Sequence, residues 1–192
     1  MTTLKRVAVY CGSAMGAGGG FAEQARATAK AMVESGVDLV YGGGKLGLMG
    51  VMADTVLELG GKAYGVIPKA LVDIEVAHAR LTELHTVDHM HARKAKMTDL
   101  ADAFLALPGG VGTLDELFEA WSWNALGYHA KPFCLLNMDS FWDRMIEFLD
   151  HASSSGFISP TRRKQLLVAT SPEEALKLLD EASAGATQGM VW

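Results

Sequence analysis

Apolar positions in this chain follow two alternating patterns. Short runs that are apolar at every position read as strands; longer stretches with apolar residues at helical spacing read as helices. Strands are predicted at 7–10, 37–41, 63–67, 81–87, 103–107 and 133–137, and an edge strand at 166–169. Helices are predicted at 21–34, 48–59, from a cap at Asp88 to about 101, at 113–126, at 140–152 and from Ser171 onward. The last start is well marked, with Ser171 as N-cap, Pro172 in the first helical position and Glu174 three residues beyond the cap. Strands that are apolar throughout and separated by helices are buried on both faces, which requires a parallel sheet with helices on each side. The predicted fold is therefore α/β, a doubly wound, Rossmann-like parallel sheet flanked by helices. In such folds ligands sit beyond the carboxyl ends of the strands. One domain over residues 1–182 is expected, with 183–192 a mobile tail.

Composition sharpens this picture at one point. Glycine accounts for 21 of the 192 residues, roughly 11% against a usual ~7%. There is no triplet period, so collagen is excluded. Thirteen of the 21 fall in three clusters, each after a predicted strand. Gly12, Gly16, Gly18, Gly19 and Gly20 follow the first strand, Gly42, Gly43, Gly44, Gly47 and Gly50 the second, and Gly109, Gly110 and Gly112 the fifth. Glycine there permits positive φ and lets backbone N–H groups approach an anion. A P-loop is excluded, because Lys45 is followed by Leu46 where serine or threonine would hold magnesium. A dinucleotide fingerprint fails too: the first cluster lacks the G-x-G-x-x-G spacing, and the second strand ends in Tyr41-Gly42 with no carboxylate for a ribose. A smaller phosphate at a helix N-terminus remains.

Charge and cysteines narrow the partners. The net charge of −5 leaves no basic footprint for nucleic acid or an anionic membrane. Cys11 and Cys134 read as two reduced core thiols, too few for a metal pattern. No run approaches the ~18 apolar residues of a membrane span, and residues 1–10 read as a strand instead of a secretory signal. The expectation is a cytoplasmic protein.

The segment that carries chemistry is Pro108 to Glu116, PGGVGTLDE. It joins a buried strand to a helix. The amides of Gly110 to Thr113, with the Thr113 hydroxyl and the helix dipole, could converge on one phosphate. Thr113-Leu114-Asp115-Glu116 also reads as a T-x-x-E capping box, which needs no ligand. In the preceding helix, Met90, Met97 and Ala101 define the apolar stripe. Arg93 and Lys94 straddle it and Lys96 points away. A guanidinium on an inward face needs a partner or a ligand. His89 and His91 diverge on a helix, so no metal pair is expected. Glu75 alone would pass as a solvated surface charge.

Together these strings resemble the LOG ("Lonely Guy") family of phosphoribohydrolases over residues 5–180. The matching elements are Cys11-Gly12-Ser13, Gly42-Gly43-Gly44 with Gly47-Leu48-Met49-Gly50, Met90-His91-x-Arg93-Lys94, and Pro108-Gly109-Gly110-x-Gly112-Thr113-x-x-Glu116. The family has also carried the label "lysine decarboxylase", but no lysine here lies in a pyridoxal-phosphate context. The resemblance implies hydrolysis of the N-glycosidic bond of adenine-type nucleoside 5′-monophosphates, including AMP and cytokinin riboside monophosphates, to free base and ribose 5-phosphate. It implies Arg93 and Glu116 as the catalytic pair. Gly109, Gly110, Val111, Gly112 and Thr113 would hold the 5′-phosphate. Glu75, Lys94 and Ser122 would be further substrate contacts, with Ser13 and Met90 lining the pocket. Asp115 stands where many members have glutamate, and no effect is expected from that. The resemblance further implies a homodimer whose pockets are completed near the subunit interface, and no metal or other cofactor. Phe118, Trp121, Trp123 and Leu126 give the helix that follows the third glycine cluster more apolar surface than one core face requires.

Two other readings stand beside this one. A nucleotide-binding or carrier protein of the same fold would lack turnover. A nicotinamide-dependent oxidoreductase is weakened by the missing ribose carboxylate.

Overall fold

The computed structural model describes residues 2–18, 20–72, 74 and 76–185. Its seven strands are β1 (Arg6–Tyr10), β2 (Asp38–Tyr41), β3 (Ala63–Pro68), β4 (Glu83–Val87), β5 (Ala103–Ala106), β6 (Phe133–Leu136) and β7 (Leu166–Ala169). They form one parallel sheet in the order β4-β3-β2-β1-β5-β6-β7. The helices are α1 (Gly20–Glu34), α2 (Gly47–Glu58), α3 (Met90–Leu100), α4 (Val111–Ala125), α5 (Asp143–Ser154), α6 (Pro160–Gln165) and α7 (Pro172–Gly185). The doubly wound α/β fold expected from the apolar runs is the one observed.

Side chains alternate across the sheet, so one apolar strand feeds two cores. Val7 and Val9 of β1 join Leu39, Leu105 and Cys134 in a core beneath α1, α2 and α7. Ala8 and Tyr10 join Val40, Phe104, Leu117 and Trp121 in a second core on the opposite face. Burial on both faces explains why β1 is apolar at Val7, Ala8, Val9 and Tyr10. The fourth strand departs from the expectation. β4 is an edge strand, as β7 at 166–169 is at the other end of the sheet in line with expectation; it pairs only with β3, and Glu83, Leu84 and Thr86 are exposed.

Element starts also differ from the sequence pattern, α5 by beginning at Asp143 instead of residue 140. Asp88 does not cap α3; His89 does, its Nδ1 accepting the Ala92 N–H at 3.2 Å, while Asp88 pairs with Lys69 at 2.7 Å. The α4 helix begins at Val111, two residues before Thr113. The short α6, capped by Ser159 with Pro160 in its first turn, has no apolar period to announce it. At α7 the expected cap is present: the Ser171 hydroxyl accepts the Glu174 N–H at 3.2 Å, and the Glu174 carboxylate accepts the Thr170 N–H at 2.7 Å. Of the tail at 183–192, residues 183–185 close α7, and 186–192 lie outside the described residues.

Both cysteines are free and buried. Burial, then the charge of Glu116, pushes the Cys11 thiol far up, and burial, then Glu174, pushes Cys134 up to about 12. Among the described residues no helix is long and apolar enough to cross a membrane.

His129, beyond α4, packs against Phe104 with ring centroids 5.3 Å apart, and its Nδ1 accepts the Lys131 N–H at 3.2 Å. Burial, then the Lys131 charge, lowers its pKa from 6.5 to about 4. The unfolded chain therefore takes up this proton first as pH falls. The contribution to stability is complete above about pH 6.5 and is lost as pH drops through about 4. Urea unfolding of His129→Gln should show a shallower loss of stability between those pH values than wild type. Equal slopes would remove His129 as the source.

Candidate active site

Strand order reverses between β1 and β5: the chain steps outward through β2, β3 and β4 on one side, and through β6 and β7 on the other. This is the switch point, where the carboxyl ends of neighbouring strands lead to opposite faces and leave a crevice. The first and third glycine clusters flank it. They are laced together, with Leu107 N–H donating to Tyr10 C=O at 2.9 Å and Gly12 N–H to Pro108 C=O at 3.1 Å.

Two helices begin at this rim, and they differ in what fills their N-termini. The first turn of α2 is closed internally: Gly12 C=O accepts the N–H groups of Leu48 at 2.9 Å and Met49 at 3.3 Å. In α4 the N-cap is Gly110, with extended backbone and no side-chain cap. The first backbone bond of that turn is Leu114 N–H to Gly110 C=O at 3.1 Å. The amides of Val111, Gly112 and Thr113 precede it and point off the helix end. A Cβ at Gly110 or Gly112 would meet nothing within 4 Å, so both face open space. Val111 is 84% exposed.

The expected capping box is not formed. Thr113 lies inside the first turn and is 3% exposed. Its hydroxyl lies against the Gly109 Cα, where a Cβ on residue 109 would overlap it. Glycine at 109 is thus required by packing, and its φ is not the reason. Glu116 is released from a capping role. Its carboxylate lies close enough to the end of β1 to push up both Tyr10 and Cys11, in each case after burial. That proximity puts it near the switch point.

Arg93, on α3, addresses the neighbouring strand end. It is 3% exposed, and Nη2 donates to Gly42 C=O at 2.9 Å. The close approach depends on glycine, because a Cβ at residue 42 would overlap Nη2. Met90 does not belong to the buried stripe with Met97 and Ala101. It is half-exposed, and its sulfur lies 3.9 Å from Arg93 Nη1.

Lys94 is engaged by protein. Its ammonium pairs with Asp115 at 3.0 Å and Glu119 at 2.9 Å. Burial alone would lower its pKa; the hydrogen bonds to these two carboxylates outweigh that and raise it. This bridge ties α3 to α4, the elements carrying Arg93 and Glu116. Asp115, from which no effect was expected, is half of it, and Glu119 was not singled out at all. The signal was available: Asp115 and Glu119 are four apart on one helix, hence on one face.

Ser13 is exposed in the first turn, with its backbone against Gly47. Ser122 is exposed nine residues along α4 from Thr113, about 13 Å by helical rise. It is not brought to the helix N-terminus. Glu75 lies outside the described residues. Trp121 belongs to the core, whereas Phe118 and Leu126 stay exposed on the outer side of α4.

A family model described as "Possible lysine decarboxylase" matches residues 49–179. The chain is 45% identical over 188 residues, 98% of its length and 78% of the relative's, to the Oryza sativa subsp. japonica protein named cytokinin riboside 5′-monophosphate phosphoribohydrolase LOG. The chain belongs to the LOG family. A Rhodococcoides fascians LOG relative, also named cytokinin riboside 5′-monophosphate phosphoribohydrolase, is 45% identical over 91% of this chain and 88% of its own. Among solved structures, the molybdenum cofactor carrier protein of Chlamydomonas reinhardtii aligns with a TM-score of 0.70 at 18% identity, over 94% of this chain and 98% of that one. The molybdenum cofactor binding protein of Rippkaea orientalis aligns at 0.69 and 21%, over 92% and 96%. At that identity the two structures share the fold with the LOG chain, and nothing finer.

Proposed function

We propose that this protein hydrolyses the N-glycosidic bond of adenine-type nucleoside 5′-monophosphates, AMP and cytokinin riboside 5′-monophosphates among them, releasing base and ribose 5-phosphate. The single observation that carries the reading is 45% identity, over 98% of the chain, to a cytokinin riboside 5′-monophosphate phosphoribohydrolase. The site is compatible with that chemistry. The open amides of Val111, Gly112 and Thr113, with Gly109 and Gly110 beneath them, are assigned the 5′-phosphate, whose charge the α4 dipole favours. A phosphate there places its ribose beside the first turn of α4, within reach of Glu116.

Cleavage breaks the C1′–N bond. The bond pair leaves with the base, water oxygen bonds to C1′, and one of the water's two protons ends on the base nitrogen, so the base departs neutral. Positive charge builds at C1′ on the way, as in other glycoside hydrolysis. A carboxylate beside that carbon stabilises the charge and orients or deprotonates the water. This role falls to Glu116. Arg93, with Gly42 C=O fixing one arm of its guanidinium, is assigned to orient Glu116 and the sugar. Ser13 and Met90 are assigned to the pocket wall. Glu75, Lys94 and Ser122 are assigned as further contacts, Lys94 by way of its bridge to α4. No metal or cofactor is invoked. The working unit is proposed to be a cytoplasmic homodimer that covers Phe118 and Leu126, and residues 1–182 to be one domain.

Incubation with AMP or isopentenyladenosine monophosphate, followed by chromatography, should give free base and ribose 5-phosphate in equal amounts. Tight nucleotide binding with no base released would overturn the hydrolase in favour of a carrier.

A further inference from the structure

Between β3 and β4 the chain runs over the second glycine turn as a strap, residues 76–80. It pairs with that turn through two hydrogen bonds, which together make one antiparallel bridge. Lys45 N–H donates to Val76 C=O at 2.9 Å, His78 N–H to Gly43 C=O at 2.9 Å, and Gly44 bridges Ala77 antiparallel. Val76 holds φ +50°, a conformation a β-branched residue adopts only where its surroundings impose it.

The constraint comes from below. His78 is 2% exposed. Its Nδ1 accepts the Arg80 N–H at 3.2 Å, so the ring proton sits on Nε2, which faces Asp54 Oδ1 of α2 at 3.1 Å. Arg80 Nη2 joins the same oxygen at 2.5 Å. Burial alone would raise the pKa of Asp54; the hydrogen bonds from His78 and Arg80 outweigh it and hold the carboxyl below its ordinary range. One residue thus fixes the strap's fold by its ring and the glycine turn by its main-chain N–H. Gly42, next in that turn, is the residue whose carbonyl holds Arg93.

We propose that Asp54 and His78 form a positioning pair that locks the 76–80 strap onto the second glycine turn and, through Gly42, sets the guanidinium of Arg93. Neither residue touches substrate. The inference rests on the hydrolase reading only for its kinetic consequence; the locking is measurable without it.

Asp54→Ala, His78→Ala and the double variant test the pair, with Asp54→Asn as the conservative replacement that keeps an acceptor for His78 Nε2–H. In hydrogen exchange, the amides of residues 42–45 and 76–78 should exchange at least about tenfold faster in both alanine variants, while those of β1 and β5 stay as in wild type. With AMP, kcat should fall by about tenfold and KM change far less. The double variant should be no worse than either single, as for two groups acting as a unit, and Asp54→Asn should recover most of the loss. Unchanged exchange at 42–45 would overturn the proposal. So would acceleration spread equally into β1 and β5, which marks a general loss of stability, or a loosened strap with kcat untouched. An inactive wild type would sink the phosphoribohydrolase reading, and the exchange at 42–45 would then decide the pair by itself.

Discussion

Replacing Glu116 by glutamine will abolish base release from AMP while nucleotide affinity stays within a few-fold of wild type. The side chain keeps its shape, so buried Tyr10 and Cys11 at the end of β1 keep their packing. What disappears is the negative charge that raises the pKa of both. A carboxylate acting on water and on a developing cation is worth about 10²–10⁴ in rate, or roughly 3–5 kcal/mol of barrier. The ground-state nucleotide carries no positive charge at C1′, so its binding does not depend on Glu116. Phosphate amides on α4 are main-chain groups and survive the substitution. Single-turnover base release and equilibrium AMP binding, measured on wild type, Glu116→Gln and Glu116→Ala, separate the two effects. Base release from Glu116→Gln within about tenfold of wild type would remove Glu116 from the chemistry.

The sheet was legible because Val7-Ala8-Val9-Tyr10 and Ala103-Phe104-Leu105-Ala106 are apolar on both faces, and only strands between two helical layers need that. β4 was legible as a strand, and its edge position had a signal that went unused, since Glu83, His85 and Thr86 would not suit a strand buried on both faces. Helix starts failed where tertiary contacts chose between equivalent caps. Asp88 and His89 are adjacent and both able to cap; the ion pair to Lys69 draws Asp88 away. Thr113-x-x-Glu116 has the form of a capping box, yet Gly110 already ends the preceding loop with extended backbone, and Thr113 is drawn into the turn against Gly109. Glycine has no side chain to announce itself as a cap.

The site divides along the same line. The inward guanidinium of Arg93 could be read from its helical spacing to Met97, and the anion-facing turn from its glycines. The physical role of those glycines could not: at Gly109, Gly110 and Gly112 the backbone stays out of the left-handed region, and the need is closeness or openness. Asp54 and His78, 24 residues apart, and Lys94 and Asp115, 21 apart, meet only when α2, α3, α4 and the strap are stacked. The shared face of Asp115 and Glu119 is readable locally, but nothing local marks which residue meets it, or which meets Asp54.

Arg93→Lys gives the second large effect, because the geometry it tests is one lysine cannot copy. The guanidinium is buried, hydrogen-bonded to Gly42 C=O through Nη2, and lies beside the Met90 sulfur with Nη1. A planar fork serves several directions at once with fixed angles between them, whereas an ammonium is a single point on a flexible stem. Lysine at 93 can satisfy Gly42 C=O or reach toward the crevice, but not both. We expect kcat to fall by about 10²–10³, the range seen when one preorganised donor is removed from a reacting centre. KM should rise less, because the phosphate amides are untouched. Arg93→Ala should cost stability as well, about 1–3 kcal/mol, since it leaves the buried Gly42 C=O without its charged donor. Arg93→Lys keeps that charge and should unfold within a few degrees of wild type. Thermal unfolding read beside kcat distinguishes the two causes. Near-wild-type turnover in a folded Arg93→Lys would show that charge alone suffices, and that the fork held by Gly42 has no part in the reaction.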